Sequence, residues 1–150
     1  MIKTLREQVT EFHVAMGQPV RTVPSLIAEE RVRLRAALIV EETFEVLEAL
    51  FVSGLSTMKF TVMHAVQTLP IHVSMVDLAD GLADLDYVVE GARVEFGIDG
   101  APIAAEVHRA NMAKVGGPIA PNGKRLKPPD WTPPDVEGEL VKQGWERAGP

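Results

Sequence analysis

Apolar residues recur at intervals of three and four along most of the chain, and this spacing predicts α-helices. No stretch shows the convincing alternation of apolar and polar residues that would indicate a strand. Predicted helices cover residues 2–16, 28–52, 71–96 and 103–114; residues 58–69 fit a short helix or a loop, and residues 135–147 favour one or two closing helical turns. The expected fold class is therefore all-α, a bundle of four to five helices.

The character of the chain changes after residue 115. Six of the eleven prolines lie between residues 116 and 134, together with Lys124, Arg125 and Lys127. Proline removes a backbone donor and fixes φ, so this stretch predicts an extended arm or lid instead of regular structure. We expect a helical domain at residues 1–115 and a Pro/Gly-rich C-terminal arm at residues 116–150, with a short helix, packing on the same domain.

Composition excludes several classes of protein. The chain of 150 residues has a net charge of −6 and no cysteine, which removes disulfides, thiolate metal sites and a cysteine nucleophile. Its acidity argues against a nucleic-acid partner, which would normally meet a basic face. No apolar run approaches the roughly 20 residues that span a bilayer, and the N-terminus lacks the apolar segment of a signal peptide. We expect a cytoplasmic protein without a membrane partner.

Carboxylates interrupt an apolar stripe on the predicted helix 28–52. The stripe runs through Leu38, Glu42, Glu45 and Ala49 at helical spacing, so two acids lie one turn apart between apolar neighbours. Adjacent like charges repel each other, and burial of unpaired carboxylates is costly. A cation that binds both acids would relieve the two penalties together.

The predicted helix 71–96 repeats this arrangement. Asp77, Asp80 and Asp84 lie in line at helical spacing, with valines beyond each end of the row. Hard cations such as Mg²⁺ or Mn²⁺ take oxygen ligands, so the two helices predict a divalent-metal site formed by Glu42, Glu45, Asp77 and Asp80. The alternative is that these acids form ordinary solvated helix faces.

Motifs for competing chemistries are missing. A di-iron carboxylate bundle needs Glu-x-x-His on two helices, and no glutamate here has a histidine three residues later. The stretch Gly123-Lys124-Arg125 lacks the upstream glycine and the Ser/Thr of a phosphate-binding loop. No glycine pattern of a Rossmann fold and no serine elbow follows a strand.

Three ordered motifs resemble a known family. Residues 41–45 (EETFE) followed by residues 77–80 (DLAD) are similar to the EExxE…[ED]xxD signature of the all-α nucleoside triphosphate pyrophosphohydrolases. Residues 109–114 (RANMAK) are similar to the Asn-x-x-Lys segment of the same superfamily. The layout looks like the MazG-like subgroup with dUTPase-type activity, although Asp77 stands where many members have glutamate.

The resemblance implies a MazG-like helical fold and hydrolysis between the α- and β-phosphates, which releases a nucleoside monophosphate and pyrophosphate. It implies that Glu42, Glu45, Asp77 and Asp80 hold Mg²⁺, with Mn²⁺ as a substitute. The expected substrate is dUTP or a related deoxynucleotide in a house-cleaning role. Glu41 is then an outer ligand or the catalytic general base, against the alternative of a solvated surface glutamate.

The same resemblance implies that Asn111 and Lys114 contact phosphate oxygens. A simpler alternative for Lys114 is a cation that stabilises the C-terminal end of its helix. Lys124, Arg125 and Lys127 on the arm are candidates to close over the substrate; the alternative is that they belong to a solvated linker.

Family members usually assemble from these helices, so we expect a homodimer. Two other functions remain open at this stage. One is a phosphoribosyl-ATP pyrophosphohydrolase, which belongs to the same superfamily. The other is a helical interaction module with acidic faces and no catalysis.

Overall fold

The computed structural model describes residues 3–51, 54–118 and 126–146. These ranges contain six α-helices and no strand: α1 (Leu5–Ala15), α2 (Glu29–Leu50), α3 (Ser56–Thr68), α4 (Met75–Phe96), α5 (Gly100–Met112) and α6 (Val136–Lys142). The all-α prediction is confirmed. The described residues hold one helix more than the predicted four to five, because α3 and the short α6 both form.

Local chemistry explains where the helices begin. At α1, Thr4 accepts a hydrogen bond from the backbone of Glu7, and the Glu7 carboxylate accepts one from the backbone of Thr4, which is a capping box. At α5, the Asp99 side chain accepts from the backbone N–H of Ala101. The sequence Asp99-Gly-Ala-Pro102 is typical of a helix start, and α5 begins there.

The chain divides into two compact units. One unit contains Met1–Thr22 and Leu82–Pro150, and the other contains Val23–Gly81. Helix α4 continues through the boundary after Gly81. The predicted boundary between residues 115 and 116 stays a prediction.

In the first unit, α5 packs against α1 and α6. Ala110 on α5 is 2% exposed, and Gln8 on α1 is also buried. His108 Nε2 lies 3.1 Å from a carboxylate oxygen of Glu11, and this contact joins α5 to α1. The backbone N–H of Asp99 donates to the Gln143 side chain, which donates back to the Asp99 carbonyl, so α6 is tied to the start of α5.

In the second unit, α2 packs against α3. Phe44 is the buried apolar residue of α2 among those that the structure describes. Arg33 donates to the carbonyl oxygens of Val66 at 2.8 Å and Leu69 at 3.1 Å, at the C-terminal end of α3. A cation at a helix C-terminus satisfies carbonyls that have no partner within the helix, so Arg33 fastens α3 to α2.

Helix α4 differs from the others because it is almost entirely exposed. It holds no buried residue, and all of its residues except Leu85 and Arg93 are exposed. The large apolar side chains of Val76 and Tyr87 are 79% and 82% exposed. Most of this apolar helix is therefore left uncovered by the part of the chain that the structure describes.

Among the helices of the described residues, none combines the length and the apolar character that crossing a membrane would require.

Candidate functional site

The first acidic motif lies in the middle of α2. Glu42 and Glu45 are three residues apart on this helix and both are exposed, as is Glu41. Residues three apart on a helix are neighbours, so the two carboxylates flank one patch of the α2 surface. From the sequence, these acids were expected to be buried at a cost in free energy. In the structure both carboxylates are exposed, and so is their apolar neighbour Leu38 at 37%, so no burial cost arises within this chain.

The second acidic motif lies in the first two turns of α4. The backbone N–H of Asp77 donates to the Ser74 hydroxyl at 3.3 Å, so Ser74 helps to begin the helix. Asp77 in the first turn also interacts favourably with the positive end of the helix dipole. Asp80 and Asp84 follow along α4, and all three acids are exposed.

Each helix therefore brings two predicted metal ligands together, Glu42 with Glu45 and Asp77 with Asp80. Within the described residues, no group of three or more His, Asp or Glu side chains is placed to hold a metal ion. The donor chemistry of both pairs suits Mg²⁺, which prefers carboxylate oxygens. Metal binding by this set of four residues stays a prediction.

The third motif lies at the end of α5. Lys114 follows the last turn, and its ammonium group donates to the Asn111 amide oxygen at 2.7 Å. Because the amide oxygen accepts this bond, the remaining polar group of the Asn111 side chain is an N–H donor. One ammonium group and one amide N–H therefore lie side by side at the end of α5, and both can donate to phosphate oxygens.

Trp131 adjoins this motif; from the sequence alone it could line a base pocket, although a core or interface position was the favoured interpretation. Its indole N–H donates to the carbonyl oxygen of Ala110 at 2.7 Å. The Lys127 ammonium lies 3.9 Å from the centre of the indole ring, and the Lys114 ammonium lies 5.9 Å from it. The only signal in the sequence is a tryptophan close to several lysines.

Arg109, the first residue of the third motif, anchors the proline-rich segment 126–134. Its guanidinium group donates to the Thr132 hydroxyl at 3.1 Å and to the Pro133 carbonyl at 2.9 Å. Glu106 accepts hydrogen bonds from the backbone N–H of Asp135 and from Arg109, and these bonds lower the pKa of the Glu106 carboxyl group. The segment is thus fixed to α5 at several points.

Lys124 and Arg125, predicted to bind substrate, lie outside the described residues.

An all-helical fold that carries two acidic helix motifs and an Asn–Lys pair in this order defines the class of all-α nucleoside triphosphate pyrophosphohydrolases. The sequence model of the phosphoribosyl-ATP pyrophosphohydrolase family matches residues 9–111, which is more than half of the chain. The chain belongs to this family, and its membership of the wider superfamily is confirmed.

A solved structure supports the same assignment. The chain is similar to a candidate NTP pyrophosphohydrolase from Exiguobacterium sp. 255-15, with 27% sequence identity and a TM-score of 0.72. The alignment covers 96% of this chain and 98% of that one. No curated protein matches the sequence significantly. The family and the structural neighbour together support a pyrophosphohydrolase activity.

Proposed function

We propose that this protein is a metal-dependent nucleoside triphosphate pyrophosphohydrolase. It cleaves between the α- and β-phosphates and releases a nucleoside monophosphate and pyrophosphate. The observation that carries this proposal is the family match over residues 9–111, because that range contains both acidic motifs and Asn111. The similarity over 96% of the chain to a candidate NTP pyrophosphohydrolase points in the same direction.

In this proposal Glu42, Glu45, Asp77 and Asp80 hold Mg²⁺, or Mn²⁺ in its place. The bound cation would neutralise phosphate charge and lower the pKa of a water molecule. Glu41 acts as the general base that orients the attacking water and accepts its proton. Its exposed position on α2 leaves the carboxylate accessible for this role.

Asn111 and Lys114 contact the phosphate oxygens. The 2.7 Å hydrogen bond between them supports this role, because it holds the ammonium group beside the amide donor at the end of α5. In the same proposal, Lys124 and Arg125 on the C-terminal arm close over the bound substrate.

We assign dUTP or a related deoxynucleoside triphosphate as the substrate, in a house-cleaning role. A second candidate is phosphoribosyl-ATP, which the description of the matching family favours. Both substrates present the same α–β phosphoanhydride bond, so only the recognition of base and sugar separates them. The cytoplasmic location expected from the sequence stays a prediction.

The proposed assembly is a homodimer in which α4 is covered by a second copy of the chain. The exposed apolar side chains of Leu78, Leu82 and Val89, which share one face of α4 at helical spacing, support this proposal. Burial of such side chains gains about 25 cal/mol for each Å² of apolar surface that leaves water. Oligomeric state is measured directly by light scattering during size-exclusion chromatography, with the 16.3 kDa protomer as the unit of mass.

Pyrophosphate release across the common and non-standard nucleoside triphosphates and phosphoribosyl-ATP tests the function, with and without Mg²⁺ or Mn²⁺. We expect activity only with metal and the highest kcat/KM for dUTP or a related deoxynucleotide. Turnover without metal would contradict the mechanism. No turnover of any substrate would favour the non-catalytic interaction module.

The matched variants are Glu45→Gln and Glu48→Gln, which remove one exposed carboxylate each from the same face region of α2. We expect Glu45→Gln to lower kcat/KM at least about 100-fold, because a metal ligand is lost. Glu48→Gln should retain the wild-type rate. Equal rates for all three proteins would remove Glu45 from the proposed site.

A further inference from the structure

We propose that Trp131 positions Lys127 beside Lys114, so that the two ammonium groups form a binding site for the β- and γ-phosphates of the substrate. This inference rests on the proposed function and deepens it, since the same groups would bind the pyrophosphate product. Trp131 is a positioning residue here, because it acts through Lys127 and has no reacting atom of its own.

The position of Trp131 is fixed by its surroundings. The indole N–H donates to the carbonyl of Ala110, whose side chain is 2% exposed and therefore belongs to the interior. The backbone N–H of Trp131 donates to the Pro128 carbonyl at 3.0 Å, which turns the chain back on itself. This turn carries Lys127 over the indole ring.

The beginning of the segment is fixed as well. The backbone N–H of Leu126 donates to the Pro118 carbonyl at 2.7 Å. Gly117 is buried, and a Cβ atom at this position would lie only 2.5 Å from the Leu126 carbonyl oxygen. The close approach of these two backbone segments therefore requires glycine at residue 117. The same approach places Lys127 near the end of α5.

The charges at this position favour a polyvalent anion. The negative face of an indole ring attracts a cation, and both Lys127 and Lys114 lie within about 6 Å of the ring centre, the range in which this attraction is effective. A di- or triphosphate presents several anionic oxygens that both ammonium groups can bind, and the amide N–H of Asn111 adds a donor beside Lys114.

Lys127 supplies the most direct test, because its contact with Trp131 is on the surface and its removal leaves the fold in place. The probe is inorganic pyrophosphate with Mg²⁺, titrated calorimetrically into the full-length protein. We expect Lys127→Gln to weaken binding at least about tenfold, as is usual for the loss of a charge-assisted contact. Lys142→Gln is the control, since Lys142 pairs with Glu139 on α6. Wild-type affinity in Lys127→Gln would overturn the inference.

Substitutions of Trp131 separate positioning from simple structural support. Phenylalanine keeps an aromatic face for the lysines, whereas leucine removes it. We expect Trp131→Phe to retain pyrophosphate affinity within about threefold and Trp131→Leu to lose about tenfold or more. If Trp131→Leu does not fold, the comparison of Trp131→Phe with Lys127→Gln still decides. A Trp131→Phe protein as weak as Lys127→Gln would contradict the positioning role.

The double variant Trp131→Leu/Lys127→Gln provides a stricter criterion. If Trp131 acts through Lys127, the double variant should bind pyrophosphate about as weakly as Lys127→Gln alone, so the two effects are not additive. In a Trp145→Phe background, where Trp131 is the remaining one of two tryptophans, pyrophosphate should change the fluorescence emission. Additive losses and unchanged emission would overturn the inference.

Failure of the inference differs from failure of the proposed function. If wild-type protein turns over nucleotides but its pyrophosphate affinity and KM do not depend on Lys127, the function stands and the inference falls. If no nucleotide is hydrolysed and pyrophosphate binding still requires Lys127, the catalytic function falls and the anion site stands.

Discussion

Helices α4 and α5 differ in how much of their apolar surface is covered by other parts of the described chain. Helix α5 packs against α1 and α6, and Trp131 and Arg109 tie the segment 126–134 to it. Helix α4 carries equally apolar side chains but holds no buried residue. The comparison indicates that α5 packs within its own unit, while the apolar side chains of α4 stay exposed in the described part of the chain.

The largest effect is expected from a charge placed on the apolar face of α4. Leu82→Asp puts a carboxylate where a second copy would cover the helix, and a buried unpaired charge costs several kcal/mol. If the proposed homodimer forms through α4, this variant should run as a protomer of 16.3 kDa in light scattering. Glu90→Lys, a change on the more polar side of α4, is the control and should remain dimeric. A dimeric Leu82→Asp protein would place the interface elsewhere.

An alanine-to-leucine substitution on each helix tests the difference in burial between α4 and α5. Ala110 on α5 is 2% exposed, so Ala110→Leu forces extra methyl groups into a filled space, at a cost of about 1–3 kcal/mol. Ala83 on α4 is exposed, and Ala83→Leu should change the melting temperature little. Denaturant unfolding of the two variants measures the difference. Similar losses at the two positions would show that the helices do not differ as described.

A smaller effect is expected where α5 holds the proline-rich segment. Arg109→Ala removes the hydrogen bonds to Thr132 and Pro133 and the contact with Glu106. Since Arg109 is 45% exposed, we expect a loss of about 1 kcal/mol or less in the free energy of unfolding. Amide exchange at Asp135, whose N–H donates to Glu106, should become faster. Unchanged exchange there would mean that other contacts hold the segment.

The smallest effect concerns how stability depends on pH through the contact between Glu11 on α1 and His108 on α5. Hydrogen bonds from Lys3 and then His108 lower the pKa of the Glu11 carboxyl group below its ordinary value of 4.5. A lowered folded-state pKa means that the contribution to stability is present above pH 4.5 and is lost as the pH falls through the lower value. Glu11→Gln should therefore flatten the melting temperature between about pH 5 and pH 3 relative to wild type. A Glu11→Gln protein with the same pH dependence as wild type would contradict this role of the carboxyl group.

Much of the local structure followed from the sequence. The helical periodicity predicted α1, α2, α4 and α5 within a few residues, and α5 begins at the helix-start sequence that opens with Asp99. These features depend on neighbours along the chain, so periodicity and capping residues are sufficient to predict them. The order of the acidic motifs likewise indicated the superfamily, which the family match confirms.

Contacts between distant residues were not predictable in the same way. The hydrogen bond from Trp131 to Ala110 joins positions 21 residues apart, and nothing in the local pattern specifies it. The exposure of Glu42 and Asp77 also depends on what covers their helices, while the sequence argument assumed burial. Whether the four carboxylates bind a metal stays a prediction for the same reason.

The close approach of Gly117 to the backbone of Leu126 limits which residues the sequence can accept at position 117. A methyl group at residue 117 would collide with the Leu126 carbonyl oxygen, which is backbone and cannot rotate away. Variation at this single position would therefore displace Lys127 and Trp131 without changing either residue. A phosphate-binding surface could thus be lost through a mutation that removes no charge, no aromatic ring and no hydrogen-bonding side chain.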